Sequence, residues 1–386
     1  MQDSLFPAKK PTVVIVSYSD ITTDARVHRH VKTLSNYFMV VTVGIGPVKP
    51  AYALHHIEIQ LQRSKLNRLW LSLLYYFQRY ETFAFQRLEY PKIIESLSQF
   101  SPCAYILNDS STWPLLQYIP AEQCIVDAHE FSPEELSDSL FWKLFHRPFR
   151  KWCSCFVKNA AVHLSVEQNI CSLWEKFSGR RFLYLPNSCE YTPTPNKSHP
   201  TSKPIRVLHH GVAHPSRRIE LMIEAISMLS SACTGSFLLT GSQTAYIHRL
   251  QSIASGSNCR ILPPVPQCDL IAFSANYDVG ILSIYPSNSN YRYCLPNKLF
   301  QFIQSRLPIV CGPTPSIAAI VRKYNIGVVA DDFTPRALAR ALKSLTSQQL
   351  VLMRRNLEYA ASDLCWERHQ DILINAVKTV ANTPDA

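Results

Sequence analysis

Runs of β-branched apolar residues alternate along this chain with amphipathic stretches of helical period. Thr12–Val16 (TVVIV) is a continuous apolar run, the pattern of a strand covered on both faces. A polar loop, SYSDITTD, follows it. Val27, Val31 and Leu34 then recur at helical spacing, with Asp24 placed to cap the helix. Met39–Val43 is a second β-branched run, closed by Gly44 and Gly46. Strand, helix and strand in so short a stretch make a βαβ unit, which requires a parallel sheet. The alternation continues with strands predicted at Ala104–Leu107, Gln123–Val126 and Val162–Leu164, and a helix over 166–177.

The pattern stops at residues 191–204 (YTPTPNKSHPTSKP), where Pro, Ser and Thr replace apolar periodicity, as in an interdomain linker. It then starts afresh. Strands are expected at 205–208, 237–240 (ending at Gly241), 260–262, 279–284 and 308–311, with helices at 219–229, 246–254, 269–275 and 296–305, and helices from there to the end. The fold class is therefore α/β, with two doubly wound Rossmann-like domains of parallel sheet, residues 1–190 and 205–365. A closing helix within 366–386 is expected to pack back on the first domain. Ligands of such sheets sit at the carboxyl ends of strands, which places the expected site in a cleft between the halves.

Composition narrows the function. With 386 residues, 47% apolar and only 17% charged, the chain is not a disordered tail. Lys and Arg number 39 against 28 Asp and Glu, a net charge of +11, which favours anionic partners. The excess is spread over both halves, so no polybasic arm speaks for nucleic acid. The twelve cysteines are scattered, and the close pair Cys153 and Cys155 has no second pair at ligand spacing, so they read as structural thiols of a reducing compartment. The start of the chain carries no apolar signal core, and the longest greasy stretch, Leu69–Phe77, falls far short of the ~20 residues of a bilayer span. A cytoplasmic protein is expected. There is no GxxxxGK[ST] loop. Gly44 and Gly46, followed by Pro47, lack the third glycine of a dinucleotide cradle and read as a strand-ending turn.

Three places could carry chemistry. In HHGVAHPSRRIELMIEA a strand end is followed by Gly211 and by Arg217 and Arg218 just before a helix, so backbone N–H groups and guanidinium forks could receive a pyrophosphate. The bland alternative is a capped, solvated helix start. In NYRYCLPNKLFQFIQ, Pro296 opens a helix with Asn297 and Lys298 in its first turn and Leu299, Phe302 and Ile303 as the buried stripe. A lysine there opposes the helix dipole unless an anion also sits there. Asp127 and Glu130 follow a strand, where one could act as a base or both could be caps. Two basic and aromatic stretches, 140–158 and 63–87, suit an anionic membrane surface, or else pack inward with charged tips at the surface.

PNKLFQF followed by SRLPIV is similar to the helix entry of GT-B fold glycosyltransferases of family 4. HHGVAHPSRRIELMIEA, DVGILSIYP, DAHEFSPE, SDITTDARVHRHVKTL and DLCWERHQDIL resemble further segments of that family, so the likeness spans nearly the whole chain, weakest at 50–100. The resemblance implies transfer of a hexosyl-type sugar from a nucleotide donor, generally with retention, onto a glycan or lipid-linked acceptor of cell-surface polysaccharide or glycolipid synthesis. It places the donor against Gly211, Arg217, Arg218, Gly241, Tyr293, Asn297, Lys298, Leu299 and Gln301, with Arg217 and Lys298 neutralising the departing pyrophosphate. His129 would lie by the donor sugar, with Asp127 and Glu130 beside it, and Asp24 and Arg26 would face the acceptor. Two departures stand out: the family's pair of glutamates is replaced by Tyr293 and Gln301, and its glycine after the phosphate-binding arginine by Arg218. With no Asp-x-Asp triplet, no metal and no other cofactor are expected. The alternatives are a GT-B relative that binds nucleotide or glycan, or scaffolds, without turnover, and a nucleotide-sugar epimerase.

Overall fold

A computed structural model of the chain describes residues 10–59, 70, 72–74, 76, 77, 79, 82, 90–134, 150–193 and 204–381. It divides into two compact units, Met1–Pro186 with Gln370–Ala386, and Asn187–His369.

The first unit is built on a sheet of β1 (Thr12–Val16), β2 (Met39–Gly44), β3 (His55–Glu58), β4 (Pro102–Asn108), β5 (Cys124–Ala128), β6 (Val162–Ser165) and β7 (Leu183–Tyr184). Their order is β3-β2-β1-β4-β5-β6-β7, and every pairing is parallel. Val13, Val14, Ile15 and Val16 are fully buried, as a run without polar alternation requires when both faces are covered. Each such side chain contributes about 1.5–3 kcal/mol by leaving water. β3 was not expected from the sequence. It is an edge strand with a largely open surface and two histidines, so it carries no apolar run.

The second unit has β8 (Ile205–Val212), β9 (Cys233–Thr240), β10 (Cys259–Leu262), β11 (Val279–Leu282), β12 (Ile309–Cys311) and β13 (Gly327–Val329), ordered β10-β9-β8-β11-β12-β13 and again parallel. One core packs under the helices Ile219–Ser227 and Pro335–Lys343, and another under Asn297–Gln304 and Pro315–Tyr324. Gly280 on β11 matters to the second. A Cβ there would stand 2.7 Å from the Phe302 ring, so its absence lets the helix of Lys298 lie close on the sheet.

The boundary falls a few residues before the proline-rich segment. Cys189 is buried in the second unit's core, its carbonyl accepts the Trp366 N–H at 2.8 Å, and the Thr192 N–H donates to Gln304 Oε1 at 2.9 Å. Residues 194–203 of the expected linker lie outside the described residues. Trp366–His369 stay with the second unit, and the helix Gln370–Ala381 packs on β4 and β5 of the first.

Candidate functional site

In doubly wound sheets the crevice opens at the carboxyl ends of strands where the order reverses. In the second unit that point lies between β8 and β11. Gly211 ends β8 at φ +129°, and a Cβ there would meet Lys298 Nζ at 2.8 Å. Only glycine both adopts that backbone and leaves the ammonium its place. Lys298 stands in the first turn of Asn297–Gln304, a helix whose N-terminal residue, Pro296, offers no side-chain cap. The lysine is 9% exposed, and among the described residues its ammonium makes no hydrogen bond or ion pair. Burial first, and then the nearby Arg217 guanidinium, push it down to about 7. A buried ammonium without a counter-ion costs free energy that is relieved by losing its proton or by gaining an anion.

Its surroundings agree. Pro215–Arg217 form a single turn of tight helix in which His214 Nδ1 accepts the Ser216 N–H. Ser216 Oγ lies 3.0 Å from the Tyr291 hydroxyl, and the Arg217 guanidinium lies 5.5 Å from that ring's centre. Arg218 caps the helix Ile219–Ser227 with φ 47° and ψ 49°, the left-handed region that suits the glycine it replaces. Its exposed guanidinium stacks 4.2 Å from the Tyr285 ring centre. His209 donates from Nδ1 to the Ile281 carbonyl at 2.9 Å, so its buried Nε2 is a bare lone pair. Burial and then Lys298 keep His209 neutral and hold His210 at about 3. The structure thus gathers Gly211, Arg217, Arg218 and Lys298. Gly241, at φ +109°, closes β9 beside Val212. Asn297 is exposed, Tyr293 half-buried and Gln301 buried. Leu299 is fully buried in the apolar core, as its place in the helical stripe predicts, so its side chain is not exposed to a donor.

In the first unit the corresponding strand ends hold a different cluster. Arg26, on the helix Ala25–Ser35, grips Asp127 with two bonds, Nε to Oδ2 at 2.8 Å and Nη2 to Oδ1 at 2.6 Å, and also donates to the Leu185 carbonyl. Burial opposes the Asp127 charge, but Arg26 and then His129 outweigh it and hold the carboxyl well below the usual range. Asp127 is therefore a structural anion and not an available base, and Arg26 is buried in that pair instead of facing an acceptor. Asp24 is the N-cap of its helix, accepting the Arg26 and Val27 N–H groups at 3.1 and 3.2 Å. Glu130 is exposed, and its carbonyl accepts the Trp174 indole N–H at 3.0 Å.

His129 has no free nitrogen. Nδ1 lies 3.1 Å from Asp109 Oδ2, and Nε2 lies 3.3 Å from Asp127 Oδ2 and 3.2 Å from Asn108 Oδ1. Burial works against its charge, but Asp109 and then Asp127 outweigh it and raise it to about 10. Asp109 was not anticipated, because nothing in the run LNDS distinguishes it from an ordinary turn. Its signal is conformational, a non-glycine residue at φ 60°. Among the described residues no three His, Cys, Asp or Glu side chains converge as a metal site.

Two parallel, doubly wound sheets, with a cationic cradle at the switch point of the second, define a GT-B fold. Residues 204–348, which include that cradle, match the family of glycosyl transferases group 1. Solved structures agree over nearly the full length. Sucrose-phosphate synthase from Thermosynechococcus elongatus is 12% identical, with a TM-score of 0.74 over 96% of this chain and 99% of that one. WaaG, a glycosyltransferase involved in lipopolysaccharide biosynthesis, is 11% identical at 0.67, covering 95% and 99%. Anabaena HepE, in complex with UDP-glucose, is 12% identical at 0.69, covering 96% and 98%. No curated protein matches the chain in sequence. The resemblance drawn from PNKLFQF and its companion motifs stands, and so does the GT-B fold.

Proposed function

We propose that the protein is a glycosyltransferase that moves a hexosyl group from a nucleotide-sugar donor to a glycan or lipid-linked acceptor of cell-surface polysaccharide or glycolipid synthesis, with retention and without a metal. The observation that carries this reading is the buried, unpartnered Lys298 ammonium over Gly211, with Arg217 beside it. As the bond from the anomeric carbon to the phosphate oxygen breaks, its electron pair stays on that oxygen, and the cations stabilise the charge that develops. Neither Asp127 nor His129 is free to take the acceptor proton, so in this reading it passes to the departing phosphate oxygen. The test is release of nucleoside diphosphate from UDP-glucose and other sugar nucleotides, dependent on an added acceptor. Absence of release with any of them would overturn it.

The engagement of Asp127 and His129, together with Tyr293 and Gln301, favours a second reading, a protein that binds a nucleotide sugar without turning it over. Calorimetric binding without release would select it.

We also propose docking on an anionic lipid surface. Trp70, Leu73, Tyr76 and Phe77 are 52%, 43%, 53% and 68% exposed, beside a sequence rich in Arg and Lys. The stretch 140–158 contributes less than expected: residues 140–149 lie outside the described residues, and Trp152 and Phe156 are buried, with the Trp152 indole donating to the Ser110 carbonyl. No helix among the described residues is long and apolar enough to cross a membrane. Co-sedimentation with phosphatidylglycerol vesicles but not phosphatidylcholine vesicles, lost in a Trp70→Ser, Phe77→Ser double variant, is the expected result. Equal binding by that variant would refute this surface.

A further inference from the structure

The cluster at the strand ends of the first unit holds a residue that no motif marks. Asp109 follows β4 in the left-handed region, φ 60°, a conformation that costs an L residue free energy and persists where its surroundings demand it. What demands it is His129. Asp109 Oδ1 accepts the His129 main-chain N–H at 3.2 Å, and its Oδ2 lies 3.1 Å from His129 Nδ1, so a single carboxylate grips both the backbone and the ring of one residue. The grip is itself anchored. The Asp109 N–H donates to the Asp127 carbonyl at 2.9 Å, tying the end of β4 to β5, and Thr112 closes the turn by donating to the Asp109 carbonyl. Asp127 and Asn108 take the far side of the ring at Nε2.

We propose that Asp109 is a positioning residue: with Asp127 at the opposite nitrogen it clamps His129, so that this residue meets the substrate as a cation of fixed orientation and not as a carrier of protons. The charged and titratable groups around the ring, taken element by element, are Asp109 from the β4 turn, Asp127 from β5, and Arg26 and His30 from the helix Ala25–Ser35. Arg26 is neutralised by its two bonds to Asp127. Burial keeps His30 uncharged, with its Nδ1 3.8 Å from Asp127 Oδ2. Asp109 is thus the acidic group at His129 that no other cation holds. At 43% side-chain exposure it can be changed without opening the core. Both nitrogens of the ring are taken, and 18% of the His129 side chain remains exposed.

This proposal rests on the transferase reading only for its kinetic test. The variant is Asp109→Asn, because asparagine tolerates the left-handed backbone and its amide oxygen can still accept the His129 main-chain N–H, so only the ring's anion is lost. The first readout is the His129 ring resonance in an NMR titration, identified by its absence in His129→Gln. In the unaltered protein His129 stays charged to about pH 10; in Asp109→Asn its midpoint falls by at least roughly one unit, and Asp109→Glu restores much of the shift. An unaltered His129 that titrates near pH 6.5, or a midpoint unmoved in Asp109→Asn, overturns the proposal. The first of these needs no variant to fold. The second readout is kcat/KM for sugar transfer in Asp109→Asn divided by that of the unaltered enzyme at each pH, a ratio that cancels the alkaline fall both share from Lys298 and that drops about tenfold per unit above the lowered midpoint. A kinetic profile unchanged by the variant, alongside a shifted NMR midpoint, refutes the role in substrate contact. If no donor is ever turned over, the NMR arm still decides the clamp, and only the transferase reading fails.

Discussion

Replacing Lys298 with methionine should strengthen the fold while removing its ligand. The ammonium titrates at about 7 in the folded protein against 10.5 in the unfolded chain. Between those two pH values the unfolded chain binds a proton that the folded chain does not, so stability rises with pH across that window. Below pH 7 the folded protein carries the whole burden of a buried charge. A difference of this size corresponds to an upper bound of about 5 kcal/mol; structural relaxation and water entry reduce it, so ~1–3 kcal/mol is the effect to look for. Lys298→Met keeps the length of the chain and removes the charge, so at pH 6 the variant should melt higher, by about 2–4 °C per kcal/mol for a unit of this size. Bound diphosphate reverses the comparison. At a hundred times its dissociation constant UDP should stabilise the unaltered protein by about 2.7 kcal/mol, and the variant by far less. Thermal melts of both proteins at pH 6 and pH 9, with and without UDP, test this. A variant that melts lower at pH 6, or gains as much from UDP, would show that the ammonium is neither a burden nor an anion receptor.

Further outcomes follow from the same geometry. Diphosphate binding should favour charged Lys298, so the dissociation constant for UDP should weaken by about tenfold per unit as pH rises above 7, measured by calorimetry. Arg26→Ala removes both guanidinium bonds from buried Asp127 and leaves it only the His129 ring, and denaturant unfolding should register a loss of about 1–3 kcal/mol. Asp24→Ala removes a helix cap and should lower stability by about 0.5–2 kcal/mol while leaving the KM for acceptor unchanged. Gly211→Ala forces a Cβ into contact with Lys298 Nζ at a backbone angle alanine avoids, so UDP-induced stabilisation should be lost even where circular dichroism shows an intact fold.

The cationic cradle of the second unit was the more legible of the two clusters. Gly211, Arg217 and Lys298 lie in two segments whose turn residues and helix starts are local features, and local features are what sequence patterns carry. Leu299 shares a motif with Lys298 but belongs to the buried stripe that its spacing predicts, because neighbouring residues on a helix point in different directions. The first unit's cluster was harder. Arg26 and Asp127 are 101 residues apart, and nothing near either one announces that they neutralise each other.

Hydrophobic alternation along the chain determined two parallel α/β sheets, because strands buried on both faces need unbroken apolar runs and parallel neighbours need helices between them. The charge states at the strand ends were decided by tertiary structure alone. Whether a carboxylate is a base or a buried counter-ion, and whether a histidine carries protons or is fixed as a cation, depends on which groups distant in sequence arrive within hydrogen-bonding distance and on how much water they exclude.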